Sequence, residues 1–243
     1  LFPRLHFVAH QNVEELARRV SEEALMRYRV TVEVEYLIAL SNLGITRKFT
    51  AKEVEILRGV CADFSPEDGE AVSEIEKTTD HDVKAIEYFL KNKLGSTSLK
   101  DSLEWIHFAL TSEDINSMAY GLMLTEVKEH NILTNLEDLL TVINRLAKDN
   151  ADLPMLARTH GQPASPTTFG KEFKVFAVRL ERQVAQLKAH KFLVKLGGAT
   201  GNFNAHVVAY PKIDWEKFAK DFAKSLNLEI NPYTTQIESH DTL

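Results

Sequence analysis

One polar stretch, residues 157–172, holds a histidine, four hydroxyls, an amide and two prolines between two segments of helical apolar periodicity. Its His160 has a side chain whose ordinary pKa lies near neutrality, so it suits proton transfer. Pro163 cannot continue a helix, and Gly161 tolerates backbone angles that other residues avoid. We therefore predict an ordered turn that presents His160 between rigid elements. Taken alone, such a histidine is more often a capping or surface residue, and the other segments strengthen the case for chemistry.

A second histidine, His81, stands where a helix is predicted to begin. Thr79 followed by Asp82 fits a capping box, and an apolar helical pattern continues to Leu94. This places His81 in the first helical turn, where free backbone N–H groups and the helix dipole favour an anion. The alternative interpretation is that these residues only cap the helix.

Residues 104–116 repeat this design, with an apolar run, a hydroxyl pair and two carboxylates at the start of another helix. The hydroxyl pair is Thr111 and Ser112, and Thr111 with Asp114 fits a second capping box. His107 lies within the apolar run. We expect it to be a hydrogen-bonded core histidine rather than a ligand.

Long helices are predicted to position these groups. Apolar residues recur at helical spacing from Val13 to Leu40, with Gly44 available as a stop, and a valine alternation over residues 30–34 is a weaker strand signal. Thr50 opens a further helix with a capping box. Helices are also predicted over residues 51–63, from Met118 to about Asp149, over 173–187 and over 214–226. Helices of about thirty residues indicate a long bundle, often completed by partner chains.

Composition excludes several classes of protein. The net charge of -6 argues against a nucleic-acid partner, because such binding needs a concentrated basic face. Cys61 is the only cysteine, so the chain forms no internal disulfide and no cysteine metal cluster, which suits a reducing cytosol. Residues 1–6 lack the apolar core of a secretion signal, and no run of about eighteen apolar residues suggests a membrane span. We expect a soluble cytoplasmic protein.

A glycine-rich segment, residues 195–206, lacks the glycine order of a dinucleotide loop or a P-loop, and no predicted strand precedes it. The sequence therefore gives no support for a nucleotide-binding fold.

Four motifs in this order resemble the adenylosuccinate lyase family, part of the fumarase/aspartase superfamily. They are Thr-Thr-Asp-His-Asp at 78–82, Leu-Thr-Ser-Glu-Asp-Ile-Asn at 110–116, Arg-Thr-His-Gly-Gln-Pro-Ala at 158–164 and Asn-Pro-Tyr-Thr-Thr-Gln-Ile-Glu at 231–238. Any one motif is weak, because Thr-Ser-x-Asp and Thr-His-x-Gln recur across the superfamily, but the combination with residues 233–238 is specific. The resemblance covers nearly the whole chain from about residue 28.

The resemblance implies an all-α fold, with an N-terminal helical domain over residues 1–110 and the first long helices of a central bundle over 111–243. It implies a homotetramer whose active sites combine three subunits, and no metal or organic cofactor. The implied reaction is an anti β-elimination that releases fumarate from adenylosuccinate to give AMP, and from the succinylated aminoimidazole carboxamide ribotide.

The same resemblance implies roles for individual residues. His160 matches the general acid, with Thr159 beside it in a substrate-binding or orienting role. The other matching substrate-binding positions are His81, Asp82, Thr111, Ser112 and Gln236. His107 lies near a family position that is implicated in substrate binding.

Two departures from the family pattern stand out. The family's catalytic base is a serine on a loop reading Ser-Ser-x-Met-Pro-x-Lys-x-Asn, and this chain lacks that loop. We therefore expect the chain not to complete the elimination alone. The Gly-Arg-Tyr that contacts the substrate phosphate in close relatives is also absent from residues 1–20.

Two alternatives remain open at this point. The chain could belong to another superfamily lyase or cycloisomerase that acts on a different succinyl or muconate substrate, although residues 233–238 weigh against this. It could also be a non-catalytic helical assembly protein. Binding of AMP and fumarate distinguishes the last alternative, because an assembly protein should bind neither.

Overall fold

Helices make up most of the structure, a computed structural model that describes residues 14–243. The helices in chain order are α1 (Glu14–Val20), α2 (Glu22–Leu43), α3 (Ala51–Ala62), α4 (Pro66–Thr79), α5 (Asp82–Leu94), α6 (Ser112–Val127), α7 (Thr134–Asp149), α8 (Phe169–Ala189), α9 (Asn204–Ala209) and α10 (Trp215–Ser225). A 3-10 helix spans Lys100–Trp105 and a π-helix spans Lys128–Leu133. The strands are β1 (Pro154–Thr159), β2 (Gln162–Thr168), β3 (Leu193–Val194) and β4 (Glu229–Ile230). The predicted helical fold class is confirmed.

The predictions that concern Val13 and the residues before it fall outside the described residues. These are the start of the first helix, the lack of a secretion signal and, for the most part, the missing Gly-Arg-Tyr. They stay predictions.

The α2 helix lies between two hydrophobic cores. Val30 and Val34, one helical turn apart, pack in a core with residues of α3, α4 and α5. Val32 and Tyr36 pack in a second core with residues of α5, α6 and α10. Since the valines point to opposite sides of a helix that is buried on both, their alternation imitates a strand pattern. The strand interpretation of this segment is therefore wrong.

The ends of α2 and α3 follow from their capping residues. Ser21 accepts a hydrogen bond from the Ala24 N–H at 3.1 Å and separates α1 from α2, which interrupts the single helix predicted here. Gly44 ends α2 in the left-handed conformation, as predicted. Thr50 and Glu53 form the predicted capping box of α3.

The predicted capping box at Thr79 is wrong. Thr79 is the last residue of α4, a helix that the sequence analysis did not identify, and its hydroxyl donates to backbone carbonyls. Asp80 then adopts a φ of 48° and ends α4. Only Asp80 and His81 separate the two helices, so His81 itself is the N-cap of α5 and lies just before the first turn.

The His160 turn is a β-hairpin between α7 and α8. β1 and β2 pair antiparallel, with Pro154 opposite Thr168 and Thr159 opposite Gln162, and an irregularity near Leu156 interrupts the register. The ordered turn between two helices is thus confirmed, and its arms are extended strands.

Gly170 explains how α8 begins close to the end of α7. A Cβ added at Gly170 would lie 2.3 Å from the carbonyl oxygen of Ala147, so only glycine permits this approach. Thr168 caps α8 by accepting a hydrogen bond from the Lys171 N–H at 3.3 Å.

The structure divides into two compact units. One contains the described residues up to Thr125 together with Lys191–Leu243, and the other contains Glu126–His190. The domain boundary predicted at residue 110 stays a prediction. Within residues 14–243, every helix is too short or too polar to cross a lipid bilayer.

Candidate active site

His81 and Ser112 meet at the starts of α5 and α6. The Nδ1 of His81 accepts a hydrogen bond from the Lys84 N–H at 3.1 Å, which leaves Nε2 to carry the proton of a neutral ring. This Nε2 lies 3.2 Å from the Oγ of Ser112, so the ring donates to the hydroxyl. The histidine stays about half exposed. The arrangement therefore presents a hydroxyl and an imidazole beside two helix N-termini, where anionic groups are stabilised.

Arg29 of α2 holds these two helix starts together. Its Nη2 donates to the Oδ2 of Asp82 at 2.6 Å, and its Nε donates to the Oδ1 of Asn116 at 2.8 Å. The side chain of Arg29 is only 9% exposed, whereas that of Asp82 is 37% exposed, so the guanidinium is shielded from water and the carboxylate is partly open to it. The other oxygen of Asp82 accepts the Val83 N–H at 2.8 Å. Asp82 is thus engaged within the protein, directly beside His81.

Asp114 anchors the turn that carries Thr111 and Ser112. It is fully buried, and its Oδ2 accepts the Thr111 N–H at 2.9 Å, which is the reciprocal half of the predicted capping box. Its Oδ1 lies 2.5 Å from the Nζ of Lys195, which is also fully buried. Two further donors to this carboxylate are the N–H groups of residues 197 and 198, at 2.9 and 3.0 Å. With four donors, the buried carboxylate is fully satisfied.

His107 pairs with a buried carboxylate. Its Nδ1 lies 2.6 Å from the Oε1 of Glu33, whose Oε2 accepts the His107 backbone N–H at 3.1 Å. Burial acts to lower the pKa of His107, but the charge of Glu33 and the hydrogen bond outweigh it, so the pKa is raised above its usual value. The prediction of a hydrogen-bonded histidine is confirmed.

A further histidine, His206, is the last residue of the glycine-rich segment and is fully buried. Its Nε2 is 3.2 Å from the hydroxyl of Tyr36, which donates to the carbonyl of Phe108 at 3.0 Å. Its ring contacts that of Trp215, with ring centres 4.7 Å apart. Burial lowers the pKa of His206 to about 4 and raises the pKa of Tyr36 well above its usual value, so both groups are neutral near pH 7.

Gln236 lies on the segment that follows β4, and it is exposed. Two residues later, the buried Glu238 accepts a hydrogen bond from the Nδ2 of Asn231 at 2.9 Å. The Glu238 N–H donates to the Oε1 of Glu113 at 3.4 Å. Because Glu113 directly follows Ser112, this contact joins the Gln236 segment to the start of α6.

Thr159 and His160 belong to the other compact unit. His160 occupies the tip of the β1–β2 hairpin with a φ of 49°, followed by Gly161 with a φ of 77°. Both Thr159 and His160 are exposed. The paired strands on either side fix the backbone that carries them.

The structure brings together four of the predicted site residues, namely His81, Asp82, Thr111 and Ser112. It also reveals three buried residues that the sequence analysis did not assign to the site, namely Arg29, Asp114 and Lys195. Among residues 14–243, no group of three or more His, Cys, Asp or Glu side chains is arranged to hold a metal ion.

A solved structure shares the fold of this chain. The structure of a fumarate lyase from Mesorhizobium sp. BNC1 matches with a TM-score of 0.73 and 21% sequence identity, over 91% of this chain and 49% of that one. This likeness concerns the fold. The sequence then supplies the family, because a family model described as lyase matches residues 8–243. The chain belongs to this lyase family.

Two relatives are more similar in sequence. An adenylosuccinate lyase of Haemophilus influenzae is 48% identical over 225 residues, which cover 91% of this chain and 49% of that protein. An adenylosuccinate lyase of Escherichia coli K12 is 46% identical over 225 residues, with the same coverage of 91% and 49%. The chain therefore spans about half the length of these relatives.

Proposed function

We propose that this chain takes part in the elimination of fumarate from adenylosuccinate, which yields AMP, and from the succinylated aminoimidazole carboxamide ribotide. The observation that carries the proposal is the contact between His81 and Ser112 at 3.2 Å, within motifs that the adenylosuccinate lyase family shares. The identity of 48% to a relative named adenylosuccinate lyase supports the choice of substrate.

The reaction explains why these residue types are needed. A base removes the proton from the carbon next to a carboxylate, and the electrons of that C–H bond come to form the double bond of fumarate. The C–N bond breaks, and its electron pair stays on the departing nitrogen, which takes a proton from an acid. Between these events the carboxylate carries extra negative charge and requires hydrogen-bond donors.

His160 is the proposed acid, since its imidazole is exposed on a structured hairpin and histidine is the most frequent proton-transfer residue in enzymes. Thr159 beside it is proposed to orient the substrate. Thr111 and Ser112 are proposed to bind the succinyl carboxylates at the start of α6, where the helix dipole favours negative charge. His81, with Asp82 fixed beside it, contributes a further donor.

Gln236 is proposed to bind the substrate through its exposed side-chain amide. The base is proposed to be a serine on a loop that this chain lacks, so the chain alone is not expected to turn over substrate. No metal or organic cofactor enters the proposed reaction.

The proposed assembly is a homotetramer in the cytoplasm, with a domain boundary near residue 110. Large apolar side chains on α7 and α8 support association, because an exposed apolar surface of this kind usually contacts a partner. They are Leu139, Val142, Val175 and Phe176, which are 42–59% exposed.

The test is an assay of fumarate release from adenylosuccinate by the full-length protein, with His160→Ala as the variant. Turnover in the wild type and a loss of roughly a hundredfold or more in the variant are expected. His130→Ala is the matched control, because His130 is an exposed histidine of the same compact unit and has no proposed role.

Absence of wild-type turnover would overturn the choice of substrate. Equal activity of His160→Ala and His130→Ala would remove His160 as the acid while leaving the lyase assignment in place.

A further inference from the structure

We propose that the glycine-rich segment, residues 195–206, is the support that positions Gln236. This inference rests on the proposed function, in which Gln236 binds the substrate. Within the glycine-rich segment the effect is carried by Gly201, which contacts the residues just before Gln236. Glu113 of α6 adds a second contact, to the residues just after it. Both are positioning residues, because each acts through Gln236.

The glycine-rich segment is firmly held at its start. The Nζ of Lys195 donates to Asp114 at 2.5 Å and to the carbonyl of Gly198 at 2.8 Å. The Lys195 N–H donates to the Oγ of Ser117 at 3.0 Å. Since Lys195, Asp114 and Ser117 are at most 1% exposed, water does not compete for these bonds. The support is therefore tied to α6, the helix that begins at Ser112.

Two further bonds close the segment into a tight turn. The Gly201 N–H donates to the Gly198 carbonyl at 3.2 Å, and the Phe203 N–H donates to the Gly197 carbonyl at 2.8 Å. Gly198 and Gly201 have φ values of 74° and 76°, a conformation that side chains disfavour. The turn thus brings the bare backbone of Gly201 to its surface.

Gly201 lies against the residues that immediately precede Gln236. A Cβ added at Gly201 would lie 2.5 Å from the carbonyl oxygen of Thr234 and 2.9 Å from that of Thr235. Both atoms belong to the backbone, so a side-chain rotation cannot relieve the overlap. Any side chain at position 201 must move the segment that carries Gln236.

The chain around Gln236 is also held by hydrogen bonds before and after its contact with Gly201. The Asn231 N–H donates to the Val194 carbonyl at 2.8 Å, next to the parallel pairing of β3 and β4. Beyond Gln236, Glu113 accepts the Glu238 N–H at 3.4 Å and lies 3.1 Å from the Nε2 of His240. Gln236 is therefore an exposed residue on a backbone that is fixed on both sides.

The first test compares Gly201→Ala with Gly44→Ala in the full-length protein. Gly44 has a φ of 81° and nothing within 4 Å of an added Cβ, so the control carries the same backbone strain without the overlap. Gly201→Ala is expected to raise the KM for adenylosuccinate roughly tenfold, the cost of about one misplaced hydrogen bond, with a smaller change in kcat. Gly44→Ala should stay within about twofold of wild type in both constants.

Hydrogen exchange measured by mass spectrometry gives a readout that does not depend on activity. Amides of residues 233–238 should exchange roughly tenfold faster in Gly201→Ala than in Gly44→Ala. Equal exchange in the two variants would overturn the proposal, as would faster exchange that leaves KM unchanged. If the wild type lacks turnover, the proposed function fails and the exchange comparison still decides whether Gly201 orders this segment.

Glu113 provides a second variant if Gly201→Ala does not fold. Glu113→Ala removes the acceptor on the far side of Gln236 and should also accelerate exchange of residues 236–240 and raise KM. Glu113→Gln keeps an acceptor oxygen and should remain close to wild type. Equal behaviour of the alanine and glutamine variants would overturn the role of Glu113.

Discussion

The guanidinium of Arg29 and the carboxylate of Asp82 lie 2.6 Å apart, although 53 residues separate them in the sequence. Arg29 also bonds to Asn116, so a side chain of α2 joins the start of α5 to α6. His81 and Ser112 stand next to these two contacts. The hydrogen bond between His81 and Ser112 thus spans the two helix starts that Arg29 joins.

We expect Arg29→Met to lower the free energy of unfolding by about 2–3 kcal/mol, because the buried guanidinium loses its hydrogen bonds to Asp82 and Asn116. Urea denaturation measures the change. Arg58→Met is the matched control. Arg58 also donates two hydrogen bonds, in its case both to the carboxylate of Glu35, but its side chain is 59% exposed. Arg58→Met should lower the free energy of unfolding by less than about 1 kcal/mol. Similar losses in both variants would contradict the special role of Arg29.

Stability should fall in acid because of His206. Burial lowers the pKa of its ring to about 4, whereas the ordinary value is 6.5. Between these values the unfolded chain binds a proton that the folded chain does not bind. Above pH 6.5 His206 therefore leaves the free energy of unfolding unchanged. As the pH falls from 6.5 toward 4, the free energy of unfolding decreases by about 3 kcal/mol because of this residue.

His206→Gln tests this pH dependence. Glutamine retains an N–H donor for Tyr36 but does not titrate, so the variant should lose less stability than the wild type between pH 6.5 and 4. Any loss of ring packing against Trp215 shifts the curve by the same amount at each pH. If the free energy of unfolding fell equally with pH in the wild type and in His206→Gln, His206 would not be the cause of the loss of stability in acid.

The buried pair of Asp114 and Lys195 should respond unequally to substitution. Asp114→Leu leaves the buried Lys195 charge without a counter-charge, with the Gly198 carbonyl as its remaining acceptor, and leaves three backbone N–H groups without an acceptor. This should cost at least about 4 kcal/mol. Lys195→Met leaves the carboxylate with those three donors and should cost about 2 kcal/mol. Urea denaturation midpoints measure the difference in unfolding free energy between the two variants, provided that the dependence of this free energy on urea concentration is the same in both. The reverse order would show that the lysine, and not the carboxylate, organises this site.

Cys61 should be an unreactive thiol. Burial raises its pKa to about 11, so at pH 8 the thiolate fraction is about a hundredfold below that of a thiol with a pKa of 9. Alkylation by iodoacetamide, followed by mass spectrometry, should be correspondingly slow in the folded protein and fast in urea. A folded-state rate within about threefold of the unfolded one would contradict this prediction.

Features that depend on near neighbours could be predicted from the sequence. The Thr50 capping box and the stop at Gly44 each involve residues within one helical turn, so their chemistry is visible in a short window. The α4 helix was missed because only Gly69 and Val72 of its residues are buried, which leaves no apolar stripe to detect. Missing α4 in turn caused the wrong cap at Thr79.

The polar contacts of the candidate site could not be predicted in this way. Asp114 and Lys195 are 81 residues apart, and His81 and Ser112 are 31 apart, so no local pattern links the partners. One signal was present in α2, where the charged residues Arg29 and Glu33, one turn apart, alternate with the valines of residues 30–34. Such a pair in a buried helix indicates that polar partners come from elsewhere in the chain.

The hairpin that carries His160 is also a possible site of aggregation. A ribbon of two strands has open edges, and its exposed Leu156 could attract strands of other molecules. Pro163 and Pro166 lie within β2 and have no N–H to offer a new neighbour. The prolines that break the helix here thus also oppose the growth of the ribbon into an intermolecular sheet, and their replacement by valine would favour aggregation.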